Sequence, residues 1–257
     1  VILGLTAIFA EQLAPYDPYK QNLTNILKQP SREHLLGTDP IGRDTLSRLI
    51  YGTRTALTVG FVSVSIASII GVTLGTLAGY FGGITNTIIM RFTDILMPFP
   101  MIVLALLISA VLGGGIQNVI LALGIATIPG YIRVMCGMTL SIKENDYIMA
   151  AKAMGASHRR IMLRHVLPNA IAPIIVVVTL QLGFLILSEA ALSFLGIGIK
   201  PPGAAWGAMV NEGYRFLVKI PILSFAPGAA IMLVVFAFNI VGDALRDALD
   251  PRLRGTL

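Results

Sequence analysis

The sequence predicts an all-α, multi-spanning membrane protein with about six transmembrane helices, the first of which is truncated in this sequence. Composition supports this class, because 55% of the 257 residues are hydrophobic and only 12% are charged. Soluble domains carry about a quarter charged residues. The mean hydropathy is +0.81. Several uncharged apolar runs also reach the length of roughly 18 residues at which a membrane helix is expected.

The predicted spans follow one another along a single transmembrane domain that covers residues 1–257. Residues 1–10 are apolar and predict the end of a first span, and residues 14–54 are polar and interrupted by prolines, which predicts a loop. A short amphipathic helix at 44–51 is expected to lead into the membrane. Only helices satisfy all backbone hydrogen bonds within one segment in lipid, and the alternation of barrel strands is absent. Five further helical spans are predicted at 56–79, 95–112, 118–138, 171–195 and 224–241.

Alternate crossing divides the connecting segments between the two sides of the membrane. Residues 14–54, 113–117 and 196–223 fall on one side, and residues 80–94, 139–168 and 242–257 on the other. Lysine and arginine are spread evenly over the two sides, so the positive-inside rule leaves the orientation open.

Several classes of function are disfavoured by what the sequence contains. The net charge of +6 is assigned to loops and helix ends at anionic lipid, because no basic run is interleaved with the aromatic residues that bind single-stranded nucleic acid. Neither Cys136 nor the three histidines have partners at a ligand spacing, so no metal site is predicted. No phosphate-binding loop, nucleophile elbow or nucleophile–base pair occurs, so no catalytic residue is predicted.

Three glycines at four-residue spacing, Gly71, Gly75 and Gly79, give the second span a smooth face. We interpret this face as a site of close packing by another helix. The alternative is that it lines or flanks a pathway that moves during transport.

Three residues within the spans are candidates for the transport pathway. Pro98 lies at the start of the third span and Pro129 lies within the fourth, and such prolines either unwind a helix toward a cavity or merely kink it. Glu189 is the acidic residue that falls well inside a predicted span. A buried charge there is costly, so Glu189 either faces the pathway or forms a structural hydrogen bond near a helix end.

The polar segment 139–168 predicts two short helices joined at a corner. Asn145 or Asp146 can cap the first helix, and Tyr147, Ala151 and Met154 then share one face. This helix either docks into a groove of another protein or lies on anionic lipid as an amphipathic surface helix.

The corner between the two helices has its own signals. Gly155 can adopt the left-handed conformation that ends a helix. Ser157 can cap the second helix, which Pro168 is expected to bound.

The same segment resembles the "EAA" loop of ATP-binding-cassette importer permeases. That loop has the pattern E-A-A, three residues, G, nine residues, I, one residue, L-P, and Ala150-Ala151, Gly155 and Leu167-Pro168 match it in spacing. Met149 stands at the Glu position and His165 at the Ile position. Residues 36–57, 192–209 and 242–255 also resemble segments of the dipeptide, oligopeptide and nickel permease subfamily, most closely its "C"-type subunit.

The resemblance implies a non-catalytic permease subunit in the cytoplasmic (inner) membrane of a bacterium or archaeon. Expected partners are a second homologous permease subunit, two cytoplasmic ATPase subunits, an extracytoplasmic solute-binding protein and membrane lipid. The chain is expected to bind no cofactor, and ATP and Mg²⁺ are expected in the ATPases. Peptides or similar small solutes are the implied cargo, carried by alternating access.

The resemblance also orients the chain and assigns residues to its contacts. Residues 139–168 and 242–257 are then cytoplasmic, and residues 14–54 and 196–223 are outside. Asp39, Arg43 and Trp206 become candidates for contact with the binding protein. The expected ATPase-coupling residues are Asp146, Tyr147, Ala150, Ala151, Lys152, Met154, Gly155, Ala156, His158 and Arg159.

A secondary carrier or channel that works without an ATPase is the alternative. Such a protein needs ion-coupling acids within its spans and usually an internal repeat, whereas here only Glu189 fits and no clear repeat is seen.

Overall fold

A computed structural model of the protein describes residues 2–249. Within that range the chain is helical, and its strand pairing is limited to an isolated bridge between Thr38 and Asp44. A 3₁₀ turn covers Leu23–Asn25 and a π turn covers Met162–Val166. The α-helices are α1 (Ile2–Ile8), α2 (Ala10–Leu13), α3 (Thr45–Phe81), α4 (Gly83–Leu96), α5 (Met101–Leu112), α6 (Ile116–Lys143), α7 (Asp146–Ala153), α8 (His158–Ile161), α9 (Leu167–Phe194), α10 (Trp206–Tyr214) and α11 (Ile222–Leu249).

Four helical segments of residues 2–249 are long and apolar enough to cross a membrane. They are α3, α6, α11 and the continuous segment His158–Phe194, which contains α8, the π turn and α9. The pair α4 and α5 passes the same test together but bends by 87° at its break, the geometry of a broken span or a re-entrant loop. The predicted all-α membrane class is therefore confirmed, and each predicted span from the second to the sixth corresponds to one of these segments.

The third span was predicted as one helix over 95–112, but the structure forms it from two helices. Residues 95 and 96 belong to α4, which covers most of the predicted loop 80–94, and α5 begins at Met101. The break at 97–100 contains Pro98 and Pro100. Proline lacks an N–H and disfavours helical geometry in the residue before it, so the two prolines separate α4 from α5. Pro100 stands directly before α5, and its carbonyl accepts the Leu104 N–H at 3.0 Å.

The second span begins much earlier than the predicted residue 56. Helix α3 starts at Thr45 and runs for 37 residues. Its start is fixed by Asp44, whose carboxylate accepts a hydrogen bond from the Ser47 backbone N–H at 2.8 Å and so satisfies a free donor of the first turn. The predicted short helix at 44–51 is therefore the first part of α3.

The helix that follows Gly155 does not end at Pro168, contrary to the prediction. It continues to Phe194, and the π turn Met162–Val166 ends two residues before the proline. A proline in a regular helix loses one hydrogen bond and clashes with the carbonyl four residues earlier. The wider turn changes the local hydrogen-bond pattern, so the helix continues past the proline.

The chain divides into two compact units. Of the described residues, the first unit contains 2–63, 105–123 and 182–238, and the second contains 64–104, 124–181 and 239–249. The core of the first unit includes Ala56, Ile186, Trp206, Met209 and Val234. The core of the second unit includes Tyr80, Met135, Ile148, Ala151, Ile161, Val166, Ala170 and Ile174.

Candidate functional site

The candidate coupling loop, residues 139–168, lies entirely in the second unit. Helix α6 continues into it as far as Lys143, and α7 follows at Asp146. Asn145 occupies the N-cap position of α7, but its side chain makes no cap bond there. The amide instead donates to the Ile142 carbonyl at 2.9 Å, so Asn145 satisfies the end of α6 and fixes the turn between the two helices.

The corner after α7 has the geometry that the sequence predicts. Gly155 has φ +78°, and its N–H donates to the Lys152 carbonyl at 2.9 Å while the Ala156 N–H donates to the Ala151 carbonyl at 3.0 Å. These two bonds define a Schellman motif. Ser157 Oγ then accepts from the Arg160 N–H at 3.4 Å and caps α8.

Helix α7 has one face packed into the unit and one face exposed. Ile148 and Ala151 are buried, whereas the Tyr147 side chain is 44% exposed and Met154 is 82% exposed. Ala151 was predicted to contact the ATPase beside Tyr147 and Met154, and the structure contradicts this. At about 100° per residue, Ala151 lies about 40° around α7 from Tyr147 on the side of Ile148, which is the buried side.

The other predicted coupling residues lie on the surface of this loop. Asp146, Ala150, Lys152, His158 and Arg159 are exposed, and Ala156 is half-buried. Met149, at the Glu position of the loop pattern, is exposed as well. The His165 ring lies 6.4 Å from the Tyr147 ring, measured between centroids.

A contact between the loop and the end of α3 was not predicted. Tyr80 is buried near the end of α3, and its hydroxyl oxygen lies 2.9 Å from His158 Nδ1. The Lys152 ammonium lies 5.9 Å from the centroid of the Tyr80 ring, a cation–π distance. Lys143 Nζ donates to the Gly79 carbonyl at 3.1 Å. We call these contacts the Tyr80 clamp.

The inward anchor Ile148 was also missed by sequence analysis. A signal for it existed, because isoleucine is the most hydrophobic residue of α7 and sits three residues before Ala151, a spacing that brings two side chains to one face. No sequence signal pointed to Tyr80, which meets His158 from 78 positions away.

The glycine face of α3 is a packing surface, as interpreted from the sequence. A Cβ added at Gly75 would lie 2.6 Å from the Ile132 carbonyl oxygen, and one added at Gly79 would lie 2.8 Å from that of Cys136. A Cβ added at Gly71 would overlap the Tyr131 Cβ and would lie 3.2 Å from the Ile128 carbonyl oxygen. The backbone of α6 therefore lies directly against α3, at a distance that only glycine permits.

The three pathway candidates have different surroundings. Pro98 is exposed in the break between α4 and α5, and Pro129 is buried within α6. Glu189 is 1% exposed, and it accepts a hydrogen bond from Ser193 Oγ at 2.7 Å. Ser193 Oγ in turn accepts the Ile199 N–H at 3.1 Å. This chain of bonds supports Glu189 as a structural anchor for the turn after α9.

The candidates for binding-protein contact are buried inside the first unit. Asp39 is 4%, Arg43 3% and Trp206 2% exposed, and Trp206 Nε1 donates to the Leu49 carbonyl at 2.9 Å. Their expected role in direct contact is therefore contradicted, since none has the exposed surface that contact with a binding protein requires.

Asp39 and Arg43 belong to a cluster of four charges that we call the Asp39 charge cluster; three of them are buried, and the Glu212 side chain is 28% exposed. Asp39 Oδ2 lies 2.6 Å from Arg43 Nε and 2.7 Å from Arg48 Nη1. Arg48 Nη1 also lies 2.6 Å from Glu212 Oε2. Two guanidinium and two carboxylate groups balance, and paired charges can be buried where single ones cannot. The cluster joins the loop before α3 to α10.

These features define a class of protein: an all-helical membrane permease whose helices are joined on one side by an anchored helix–corner–helix loop. Residues 71–255 match the family described as binding-protein-dependent transport system inner membrane component. The chain belongs to this family. It is a permease subunit of an importer in the inner membrane, and it works with ATPase and binding-protein partners.

Curated relatives match along almost the whole chain. The dipeptide transport system permease protein DppC of Alkalihalophilus pseudofirmus is 45% identical over 250 residues, covering 97% of this chain and 82% of that protein. The glutathione transport system permease protein GsiD of Pectobacterium atrosepticum is 43% identical over 255 residues, covering 99% and 85%. GsiD of Escherichia coli is 44% identical over 256 residues, covering 99% and 84%.

Solved structures share the fold. The MetNI methionine ABC transporter in an inward-facing conformation matches with a TM-score of 0.64 at 22% identity, over 80% of this chain and 97% of that chain. An amino acid ABC transporter with histidines matches with a TM-score of 0.58 at 16% identity, over 77% and 92%. The structural likeness confirms the permease fold.

Proposed function

We propose that this chain forms one half of the pathway of an ATP-driven importer for short peptides. The other half is a second homologous permease, two ATPase subunits bind the MgATP, and the chain itself holds no cofactor and catalyses no reaction. The names of its relatives support the cargo, because a dipeptide and glutathione are both short peptides. The proposed domain is the whole chain, with 14–54 and 196–223 outside and 139–168 and 242–257 in the cytoplasm; of that tail, residues 250–257 lie outside the described residues.

The two-faced α7 is the observation that carries the coupling role. Ile148 and Ala151 fix the helix to its own unit, which leaves Tyr147, Ala150 and Met154 exposed side by side. A short helix with an apolar exposed face suits the groove of a partner protein, and methionine adapts to such surfaces. We infer that this face seats in the ATPase, with Asp146 beside it and with Lys152 and Arg159 exposed elsewhere on the loop.

Motion of α7 reaches three membrane helices through the contacts of the second unit. The turn at Asn145 ties α7 to α6, the Gly155 corner ties it to the segment His158–Phe194, and the Tyr80 clamp ties it to α3. ATPase closure then moves these helix ends together, which suits a switch between two discrete states of the pathway.

Uptake of a labelled dipeptide tests the function. Proteoliposomes hold this chain, its partner permease and the ATPases, with the binding protein added outside. We expect uptake to require ATP and every component. Uptake that continues after the ATPases are omitted would instead establish the alternative, a secondary carrier or channel.

Replacing Gly155 with valine is expected to uncouple ATP hydrolysis from uptake. The left-handed conformation at φ +78° costs an L-residue roughly 1–2 kcal/mol, and a β-branched side chain more. Since nothing lies within 4 Å of an added Cβ, the strain acts on the backbone of the corner and not on packing. The measurement is the number of peptides transported per ATP hydrolysed in the purified complex.

Gly155→Asn is the matched control, because asparagine tolerates the left-handed conformation. We expect it to keep most of the coupling while adding a side chain of similar volume. Normal coupling in Gly155→Val, or equal damage by both variants, would argue against the corner as the coupling element.

Replacing Tyr80 with phenylalanine is expected to weaken coupling while leaving the subunit folded. The ring and its packing remain, but the hydrogen bond to His158 Nδ1 is lost, which costs about 1 kcal/mol. We expect several-fold slower uptake and a larger share of ATP hydrolysis without transport, because α3 no longer follows the loop.

Tyr214→Phe serves as a control, since the Tyr214 side chain is 65% exposed and lies outside the clamp. If Tyr80 and His158 act through one contact, then His158→Gln, alone or combined with Tyr80→Phe, should lose no more coupling than Tyr80→Phe alone. Additive losses would exclude that interpretation.

A further inference from the structure

An ion pair lies within the membrane-spanning helices of the second unit. Arg133 Nη2 is 2.6 Å from Asp94 Oδ1, and each side chain is 49% exposed. Arg133 lies in α6 and Asp94 in α4, and both helices belong to candidate spans. Neither residue takes part in the coupling loop or in the packing of the glycine face.

The position of Arg133 places this pair away from the ends of its helix. Arg133 lies within the fourth span, five residues before its predicted end at residue 138, or about 7.5 Å inside it at 1.5 Å per residue. The hydrocarbon layer is about 30 Å thick. Charged groups at such depth are costly in lipid, and they usually face a water-filled cavity and mark a substrate or ion path. We therefore place the exposed side of the pair on the translocation pathway.

The surface beside Arg133 is open. Gly130 and Gly137 are both exposed, and nothing lies within 4 Å of a Cβ added at either position. At about 100° per residue both lie within about 60° of Arg133 around α6. At Gly71, Gly75 and Gly79, by contrast, atoms of α6 occupy the space that an added Cβ would need. A small ligand can therefore approach the guanidinium closely.

The pair also has unused hydrogen-bonding capacity. A guanidinium carries five N–H donors, and within residues 2–249 the Arg133 side chain makes a single hydrogen bond, to Asp94 Oδ1. The second oxygen of Asp94 accepts none within the same residues. Arginine binds a carboxylate best through two parallel bonds, so a ligand carboxylate can offer Arg133 more than Asp94 does.

We propose that Asp94 and Arg133 form a transient subsite for the two charged ends of a short peptide. Arg133 takes the α-carboxylate and Asp94 takes the α-ammonium, so the internal ion pair opens as the zwitterion enters. This inference rests on the proposed peptide-import function. A dipeptide and glutathione share these two groups, and a zwitterion leaves neither protein charge without a partner, whereas a peptide with one blocked end does.

The test compares peptide uptake by the complete importer with and without each charged end. Probes are a dipeptide, its C-terminal amide and its N-acetyl form, each at a concentration that saturates the binding protein. We expect Arg133→Gln to reduce uptake of the free dipeptide about tenfold, the effect of losing one charge-assisted bond. It should barely change uptake of the amide, which already lacks the group that Arg133 binds. Asp94→Asn should show the same pattern with the N-acetyl probe.

Two variants keep the test informative if assembly is disturbed. Arg133→Lys retains the charge and should retain the preference for a free carboxylate. Arg91→Gln removes an exposed guanidinium from α4 and should leave the preference unchanged. Co-purification with the ATPases checks assembly.

If Arg133→Gln or Asp94→Asn lowered the uptake of free and blocked peptides equally, the subsite would be overturned. That result would indicate that the pair packs against the second permease. Failure of the wild-type importer to take up any peptide would instead overturn the proposed function, so the two failures are distinguishable.

Discussion

Replacing Asp39 with asparagine is expected to disrupt the segment before α3. The free energy of unfolding should fall by roughly 3–5 kcal/mol, because removing one partner breaks a buried ion pair. Asp39 Oδ2 contacts both Arg43 and Arg48, whose side chains are 3% and 2% exposed. Without that carboxylate, Glu212 alone faces two buried guanidinium groups. The measurements are the thermal unfolding of the purified subunit and the rate at which a protease cleaves residues 14–44.

Two further variants show whether charge balance is the cause. Asp17→Asn removes an exposed carboxylate of the same segment and should change unfolding little. Asp39→Asn combined with Arg48→Met restores a balance of one positive and one negative group, and it should recover part of the stability. If Asp39→Asn alone unfolds like the wild type, the Asp39 charge cluster does not hold this segment.

Replacing Gly75 with alanine is expected to prevent normal packing of α3 on α6. The free energy of unfolding should fall by roughly 3 kcal/mol, the upper end of the typical cost of overpacking a core. The added methyl group would meet the Ile132 carbonyl at 2.6 Å and the Met135 Cβ at 2.8 Å. Backbone atoms cannot rotate away as a flexible side chain would, so the helices must separate. The measurement is the yield of monodisperse subunit and its unfolding temperature.

Gly228→Ala is the matched exchange in another membrane helix. Nothing lies within 4 Å of an added Cβ there, and alanine favours a helix over glycine, so stability should be unchanged or slightly higher. A Gly75 variant as stable as the Gly228 variant would show that α3 and α6 are not in close backbone contact.

The class of protein and the corner of the coupling loop were predictable because both depend on local or additive properties. Hydropathy sums over neighbouring residues, so the long spans were found. The turn at Gly155 is set by one residue's access to the left-handed region, and the cap at Ser157 by one hydroxyl. Neither depends on what the rest of the chain does.

Several errors come from contacts between distant residues. Asp39 and Arg43 were predicted to contact the binding protein, and nothing near them in sequence shows that Glu212, 169 positions from Arg43, completes their cluster. The burial of Ala151 depends in the same way on which side of α7 meets the core. Two other errors are local: the helix continues past Pro168 through a π turn, and Pro98 and Pro100 separate two helices where one was predicted.

The π turn at Met162–Val166 also shifts the angular repeat of side chains around the segment 158–194. An α-helix turns about 100° per residue, and a π turn amounts to one residue inserted into that repeat. Residues after Leu167 are therefore rotated by about 100° from where the periodicity of His158–Ile161 would place them. A helical wheel drawn across 158–194 needs one phase reset, and deleting one residue of 162–166 should convert the π turn to α-helix while keeping the face of the downstream span unchanged relative to α8.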